Sequence, residues 1–350
     1  LSYSAHFRPF LTAIPKIFAL FAGKAYAIFA LLFGFTFYMQ SNNQKKQGKD
    51  FGYRFLWRLA LLGVFATWNA AFFPAGDVLL LFVVVGVVLF LTRSWSDRAI
   101  GVAAVVLLLQ PVEWYHYIAN LINPAHRLPD LKVAEMYGEV ADYTKAGNWR
   151  DFLLGNVTLG QKASFLWAVN AGRFVQTAGL FLLGFFIGRK QLFMTNEKNI
   201  VFWTKVLIIS AISFAPLYTL KELVMENDPI VQQTVGTAFD MWQKLAFTLV
   251  LVASFILLYQ HKNFSKAVAG LRFYGKMSLT NYISQSIIGA FIYFPIGLNL
   301  APYCGYTLSL SVGFLIFLLQ LKFCKWWLAR HKQGPLEYIW HKCTWIGTGK

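Results

Sequence analysis

The stretch Arg54–Arg93, RFLWRLALLGVFATWNAAFFPAGDVLLLFVVVGVVLFLTR, decides the fold. Two apolar runs flank a four-residue break, Phe73-Pro74-Ala75-Gly76, and the second run begins on an acid, Asp77. Each run comes close to the ~20 apolar residues that a helix needs to cross a bilayer core. Arginines occupy both outer ends, and none lies between Arg58 and Arg93. The stretch therefore predicts a membrane helical hairpin with its tip on one side of the bilayer and its basic ends on the other.

The composition of the whole chain indicates a polytopic membrane protein. Of 350 residues, 57% are hydrophobic and 13% are charged, and the mean hydropathy is +0.50. The formal net charge is +17, but the basic residues lie at the ends of apolar segments, so membrane topology explains them and we expect no nucleic-acid partner. The three cysteines lack metal-type spacing, and no second Glu-x-x-His pair accompanies Glu113 and His116. We therefore expect no metal.

Apolar runs recur along the chain, and we expect them to form an all-α transmembrane helical bundle. Nine runs are predicted as spans: about 24–40, 55–73, 77–92, 100–112, 174–188, 201–220, 242–260, 279–298 and 304–321. Residues 1–112 hold a proline-broken interfacial segment and four spans, 113–172 an extracytoplasmic insertion, 173–321 five spans, and 322–350 a basic tail. The chain begins at Leu1 without a methionine, and we expect one further helix upstream, for about ten in all.

The charges of the connecting segments predict the orientation in the membrane. The loops on the side of Arg54 and Arg93, together with the tail, hold 21 basic residues and four acids, whereas the opposite side holds 11 of each. Because basic loops stay in the cytoplasm, the C-terminus is predicted inside and residues 113–172 outside.

Asp77 is the first candidate for chemistry, because an acid at the outer mouth of a span is costly unless it is wet, paired or at a helix N-terminus. It either caps the second leg of the hairpin or lines a pocket as a functional acid, and both interpretations stay open. Lys24 opens the first span on the same outer side, where it either pairs with Asp77 or extends to lipid headgroups.

Other polar residues lie near the outer ends of spans. Trp68 and Asn69 stand one turn below the hairpin tip, and an intramembrane asparagine commonly joins helices. Arg173 begins a span and either binds an anion or anchors at headgroups. The same span ends in a Gly-x-x-x-Gly pair, Gly184 and Gly188, which predicts close packing against another helix.

The segment GKMSLTNYISQS (275–286) is the most polar start of any span. Its polar residues recur at spacings of three and four, which places most of them on one helix face. They are Ser278, Asn281, Tyr282, Gln285 and Ser286. The face predicts a wet cavity or polar ligand site, since lipid alone would not satisfy so many donors and acceptors; hydrogen bonding to other helices is the alternative.

Five motifs together resemble one family. They are GKAYAIFALLFGF (23–35), the hairpin RFLWRLALLG…GDVLLLFVVVG, GRFVQ…FLLGFFIGR, GKMSLTNYISQS and GPLEYIW (Gly334–Trp340). They are similar to the bacterial YeiB-like family of polytopic membrane proteins, a domain of unknown function, and the likeness runs from Gly23 to Trp340. By resemblance this family is related to the transmembrane acyltransferases. The resemblance implies transfer of an acyl group from cytoplasmic acyl-CoA to an envelope glycan or lipid acceptor, in the bacterial cytoplasmic (inner) membrane.

The resemblance also suggests roles for residues of this chain. CoA would contact Lys276, Asn281, Gln285, Arg330 and Lys332, and the acceptor would contact Lys24, Trp68, Asn69 and Arg173. Relatives often carry a histidine late in the first hairpin leg, where this chain has Asn69, and no histidine lies inside a predicted span. The general base is then Asp77, an outer histidine (His6, His116 or His126) or a group in the upstream helix, and we select Asp77.

Two other classes of function remain. A non-catalytic carrier of a lipid or small molecule would show paired, repeat-related broken helices at the bilayer midplane. A structural subunit would show no sizeable cavity. An acyltransferase requires one cavity that joins a cytoplasmic groove to an outer pocket. Homo-oligomerisation is left open by the sequence.

Overall fold

The computed structural model describes residues 23–145 and 147–346, and this part of the chain contains helices and no strand. Nearly all of the predicted interfacial segment 1–23 lies outside the described residues. In chain order the helices are α1 (Lys24–Lys45), α2 (Gly52–Phe72), α3 (Leu79–Thr92), α4 (Asp97–Leu108), α5 (Pro111–Ile122), α6 (Val133–Lys145), α7 (Trp149–Asn170), α8 (Arg173–Arg189), α9 (Glu197–Val224), α10 (Pro229–Tyr259), α11 (Lys262–Val268), α12 (Leu271–Lys276), α13 (Ser278–Tyr293), α14 (Tyr306–Leu328) and α15 (Pro335–Thr344).

The two helices of the predicted hairpin are confirmed, but its second leg, α3 with 14 residues, is not among the helices long enough to cross a membrane. Helix α2 ends at Phe72, a 3₁₀ turn occupies Pro74–Gly76, and α3 begins at Leu79. The two legs pack closely, since a Cβ placed on Gly86 of α3 would lie 2.8 Å from Leu59 Cδ2 of α2. The hairpin is therefore a rigid unit that presents its tip, with Asp77, to the helices around it.

Aromatic side chains form the centre of the core, where α1, α2, α3 and α8 meet. Phe37 lies 4.4 Å from Phe55 between ring centroids, and Phe33 lies 4.8 Å from Phe181. Phe82 completes the cluster with an edge-on contact to Phe181 at 5.0 Å. Each such pair contributes about 0.5–1.5 kcal/mol beyond its buried area. The cluster fixes the position of α1, which forms one wall of the cavity described below.

Glycines bring the backbones of α1 and α8 into contact. A Cβ on Gly34 would fall onto the carbonyl of Phe181, and one on Gly184 would fall onto the carbonyl of Leu31. Gly188 packs in the same way against the ring of Tyr38. The prediction that Gly184 and Gly188 serve close helix packing is confirmed, and the partner helix is α1.

The predicted count of nine spans is not supported. Within the described residues, four helices are long and apolar enough to cross a membrane, namely α2, α9, α10 and α14. Two bent pairs, α4 with α5 and α7 with α8, raise the number to six if each pair is one span. Other apolar runs form helices that are too short, such as α3 with 14 residues and α13 with 16. Apolar composition alone overcounted because it did not reveal where each helix ends.

The region predicted as an extracytoplasmic insertion, 113–172, contains helices α5, α6 and α7. Helix α5 continues α4 after a bend of 49°, and α7 leads into α8 through a bend of 76°. A π-helical turn, Asn156–Gly160, interrupts α7 where it packs on the hairpin tip. There, the Asn156 side chain donates to the Ala71 carbonyl at 3.0 Å, and a Cβ on Gly160 would lie 2.7 Å from Pro74.

The contact between α1 and α8 leads to a first prediction. Substituting Gly184→Val forces the two backbones apart, and overpacking of this kind costs about 1–3 kcal/mol or more. We expect a lower unfolding temperature and less folded protein in detergent, measured by a thermal-unfolding and gel-filtration assay. Gly313→Val on α14 is the matched control, because nothing lies within 4 Å of a Cβ at that position. Equal behaviour of the two variants would contradict the assignment.

Candidate functional site

A polar network occupies the tip of the hairpin. Asp77 Oδ1 accepts hydrogen bonds from Asn69 Nδ2 and from the Leu79 amide, both at 3.2 Å, and Oδ2 accepts from the Leu80 amide at 3.4 Å. Asn69 Oδ1 accepts from Ser286 Oγ at 2.6 Å. The network therefore ties both legs of the hairpin to α13. Asp77 accepts hydrogen bonds from the first amides of α3, as expected if it caps this helix.

Tyr282 brings α13 to the same point. Its hydroxyl oxygen accepts from the Val78 amide at 3.2 Å, one residue beyond Asp77. Tyr282 and Ser286 are four residues apart on α13, so both lie on the face that meets the hairpin tip. The polar face predicted for 275–286 thus has part of its residues in one network with Asp77.

Burial of the Asp77 carboxyl raises its pKa to about 6, against the opposing effect of the hydrogen bonds from the Leu79 and Leu80 amides and from Asn69. The carboxyl therefore changes between its neutral and charged forms near physiological pH. An acid with this property is able to accept a proton from a substrate and release it again.

An apolar cavity of about 380 Å³, here called the chamber, lies below the network. Its walls are mostly aromatic and aliphatic, with Phe29, Phe33, Phe37, Leu62, Leu79 and Phe82 among them. Tyr282 lines its inner end, and Arg58 with Trp340 lines its outer end. Its volume falls in the ~300–1,000 Å³ range of small-molecule sites.

A second cavity of about 470 Å³, the vestibule, adjoins the chamber. The two share four lining residues, Thr36, Gln40, Arg58 and Trp340. The vestibule is otherwise lined mostly by polar and charged side chains, including Asn43, Gln44, Lys276, Glu337 and His341. The two cavities together are amphiphilic, with an apolar interior and a polar, basic mouth.

Arg58 stands at the junction of chamber and vestibule. Its guanidinium lies over the Trp340 ring, 4.2 Å from the centroid, and the Trp340 indole N–H donates to the Arg58 carbonyl at 3.2 Å. The ring fixes the guanidinium while leaving its N–H groups available to a planar anion such as carboxylate or phosphate. From the sequence, Arg58 is a marker of membrane topology; its position inside an apolar run, one turn after Arg54, is the local signal for a further role.

Glu337 holds the tail against the start of α13. Its Oε1 accepts from the amides of Leu279 and Thr280 at 2.7 and 3.0 Å, and its Oε2 accepts from Thr280 Oγ1 at 2.6 Å. Thr280 Oγ1 also accepts from the Leu336 amide at 3.1 Å. The carboxylate is thus an N-terminal cap supplied from elsewhere in the chain, and it places Trp340 in the cavity wall.

A groove of about 370 Å³ lies beside the vestibule and contains Lys276, Arg330 and Lys332 among its lining residues. These three were predicted to bind CoA, and Lys276 also lines the vestibule. The other two predicted CoA residues make contacts between helices: Asn281 Nδ2 donates to the Tyr274 carbonyl at 3.1 Å, and Gln285 Nε2 donates to the Tyr274 hydroxyl at 2.6 Å. Their role in ligand binding stays a prediction.

The residues predicted for the acceptor are spread over the structure. Asn69 is in the Asp77 network, whereas Trp68 is 43% exposed on the outer surface of α2. Lys24 is buried, and its ammonium lies 5.8 Å from the centroid of the Phe247 ring. The preceding residue, Gly23, lies next to the side chain of Lys244. Arg173 lies over the rings of Tyr26 and Trp167 at 4.8 and 4.4 Å. Only Asn69 of this set borders Asp77.

Among the described residues no histidine lines the chamber, whereas His341 lines the vestibule and His331 lines the groove. The described residues contain no group of three or more potential metal ligands. His116 and His126 bond to each other at 3.0 Å between Nδ1 and Nε2, on and after α5. His6 lies outside the described residues.

In the described residues these features give an all-helical structure with four to six helices long and apolar enough to cross a membrane, and an amphiphilic cavity next to a buried acid. Residues 187–347 match a family described as "Protein of unknown function (DUF418)". Over 92% of its length the chain is 22% identical to the uncharacterized protein YxaH of Bacillus subtilis (strain 168), of which the match spans 79%. An uncharacterized 39.9 kDa protein from the amylase 3′ region of Bacillus acidopullulyticus is 37% identical over 91 residues, 25% of each chain. No solved structure matches.

The comparisons agree with the predicted family of unknown function over the C-terminal part of the chain, which includes GKMSLTNYISQS and GPLEYIW. Membership of the YeiB-like family and the relation to acyltransferases stay predictions.

The environment of Asp77 leads to a second prediction. Because the folded pKa of about 6 lies above the ordinary 3.8, protonated Asp77 stabilises the fold at low pH, and this contribution is lost as the pH rises from about 4 through 6. It amounts to at most about 3 kcal/mol. In Asp77→Asn this part of the pH dependence disappears. The measurement is thermal unfolding between pH 4 and 7.5, with the exposed acid Asp142→Asn as control; an unchanged slope in Asp77→Asn would refute the assignment.

Proposed function

We propose that the protein is a membrane-embedded acyltransferase that takes an acyl group from acyl-CoA and delivers it to an envelope glycan or lipid. The observation that carries the proposal is the amphiphilic cavity: an apolar chamber that opens through Arg58 and Trp340 into a basic vestibule and ends at Tyr282, next to Asp77. The chemistry of the cavity matches a ligand with an apolar chain and an anionic head.

The proposal places the phosphates of CoA at the basic mouth. Lys276 lines both the vestibule and the groove, and Arg330 and Lys332 line the groove. Arginine and lysine bind phosphate by charge-assisted hydrogen bonds, and Arg58 adds a fixed guanidinium at the entrance of the chamber. Basic side chains at this end also fit the proposed orientation, with this mouth facing the cytoplasm of a bacterial inner membrane.

The acyl group would then occupy the chamber. Its wall on α1 runs from Phe29 to Gln40, about 16 Å at 1.5 Å per residue. The inner end of this path is the hydroxyl of Tyr282, which is bonded to the Val78 amide beside Asp77. With the pantetheine arm of CoA also inside the chamber, the thioester carbonyl of a short acyl chain would lie at this end, beside Asp77.

Asp77 is proposed as the general base. Its carboxylate would take the proton of an acceptor hydroxyl or amine as the acceptor oxygen or nitrogen forms a bond to the thioester carbon. The C–S bond would then break, and the CoA thiolate would take up the proton held by Asp77 and leave as a thiol. On its other side Asp77 borders a cavity of about 10 Å³ with Gln161 and Ser164. That volume holds about one water molecule, so an acceptor arriving from this side requires α7 to move away from the hairpin tip.

Acyl-CoA binding is the third prediction and the direct test. Purified protein should bind acetyl-CoA and octanoyl-CoA in calorimetry. Arg58→Ala and Lys276→Ala should each weaken binding about tenfold, which corresponds to ~1.4 kcal/mol. Leu62→Phe narrows the chamber and should weaken the binding of octanoyl-CoA more than the binding of CoA. Lys262→Ala is the control, because this lysine is exposed and lines neither cavity nor groove.

Catalysis is tested separately by mass spectrometry of membrane glycans and lipids after incubation with labelled acetyl-CoA. Asp77→Asn should retain acyl-CoA binding and lose transfer. Failure of wild-type protein to bind any acyl-CoA would overturn the proposal.

A carrier of an anionic amphiphile is the second candidate, and one observation favours it. The chamber shares lining residues with the vestibule but none with the small cavity beside Asp77, so it has one described opening, as expected for one state of an alternating-access protein. Binding of acyl-CoA or a lipid phosphate without transfer, together with its release across proteoliposomes, would select the carrier.

A further inference from the structure

Two broken helices lie outside the cavity and meet at their breaks. Helices α4 and α5 are bent by 49° at Leu109 and Gln110, and α7 and α8 are bent by 76° at Ala171 and Gly172. The residue just before each second helix, α5 or α8, has a left-handed backbone conformation: φ is 59° at Gln110 and 64° at Gly172. A positive φ is uncommon for a residue other than glycine, so Gln110 is held in place by its surroundings.

The two breaks are in direct contact. A Cβ on Gly172 would lie 2.7 Å from Glu113 Oε1 and 3.0 Å from Thr237 Cγ2, so the carboxylate of α5 occupies the space that the glycine leaves. Farther along α8, Leu108 of α4 packs on Gly179: a Cβ on Gly179 would lie 2.8 Å from Leu108 Cγ. The antiparallel helices α4 and α8 therefore stay in register up to the point where both chains break.

The meeting point lies far from the other ends of α4 and α8. An ion pair of 2.8 Å between Asp97 and Arg189 joins the other ends of α4 and α8. The twelve residues of α4 place the first break about 18 Å from that ion pair. The breaks are therefore well separated from the charged ends of the two helices.

Polar atoms at the first break lack partners. Gln110 is 0% exposed and Glu113 is 8% exposed. Among the described residues, neither amide atom of Gln110 nor Oε2 of Glu113 has a hydrogen-bond partner. A buried carboxylate in this state costs several kcal/mol, and such groups are neutralised by a proton or by a bound cation.

The charged groups on neighbouring elements are engaged elsewhere. On α10, Asp240 forms an ion pair with Lys244, and on α8, Arg173 lies over the rings of Tyr26 and Trp167. Helix α4 has its charges, Asp97 and Arg98, at the opposite end. In the described part of the chain, no ion pair within 4 Å includes Glu113. No fixed cation at this contact offsets its charge.

We propose that the meeting point of the two breaks binds one monovalent cation, H⁺ or Na⁺, at the Glu113 carboxylate, with the buried amide of Gln110, three residues earlier in the chain, as a second candidate ligand. Juxtaposed helix breaks with buried polar side chains are the setting in which membrane transporters place coupling ions. The site is separate from the chamber and stands whether the protein transfers or carries its ligand.

The fourth prediction concerns thermal unfolding of the purified full-length chain in detergent. In the first arm, choline chloride is replaced by NaCl at constant ionic strength and pH 8. In the second arm, the pH is lowered from 8 to 5.5 without Na⁺, in an Asp77→Asn background that removes the titration of Asp77. The unfolding temperature should rise by about 2–4 °C or more in one arm, which identifies the cation.

Variants assign the response to the site. Glu113→Gln keeps the size of the side chain and removes the charge, so it should abolish the response in the arm that showed it. Gln110→Leu keeps the Glu113 carboxylate but removes the Gln110 amide, so it should reduce the response. This variant provides the test if Glu113→Gln does not fold. Glu135→Gln, an exposed acid on α6, should respond like the wild type. A response that survives in both site variants, or no response in either arm, would overturn the proposal.

Discussion

The backbone contact between α1 and α8 is the constraint on which the cavity depends. Gly34 and Gly184 let the two helices approach until carbonyl groups meet the opposite helix. Since one face of α1 is used in this way, another face is left to line the cavities, with Phe29 and Phe33 at one end, Thr36 in the middle and Gln40 and Gln44 at the other. These positions recur at helical spacing. The change from apolar to polar side chains along a single helix face makes the cavity amphiphilic.

The tail depends on a different interaction, the capping of α13 by Glu337. A helix leaves its first amides without partners, and here a carboxylate from a distant segment satisfies two of them. As a result α15 is held across the mouth of the chamber, and Trp340 both stacks on Arg58 and donates to its carbonyl. The motifs GPLEYIW and GKMSLTNYISQS, which are 48 residues or more apart, are therefore parts of one structural unit.

The sequence predicted the hairpin, its tip and the packing of Gly184, because length, breakers and small residues are local signals. It could not predict which polar residues face a cavity. Asn281, Gln285 and Tyr282 lie on one helix start, yet the first two bond to Tyr274 and the third reaches the Asp77 network. That difference depends on the rotation of α13 and on the positions of α12 and α2. The spacing of residues within 275–286 determines neither. Gln110 falls near the end of the predicted span 100–112 and Glu113 at the start of the predicted insertion 113–172, and only the fold shows that both are buried.

The bent helix α7–α8 connects the two sites. Its first arm packs on the hairpin tip through Gly160 and Pro74 and lines the small cavity beside Asp77 with Gln161 and Ser164. Its bend contains Gly172, which contacts Glu113, and its second arm packs on α1 through Gly184. Helix α7–α8 therefore contacts both the small cavity beside Asp77 and the proposed cation site at Glu113.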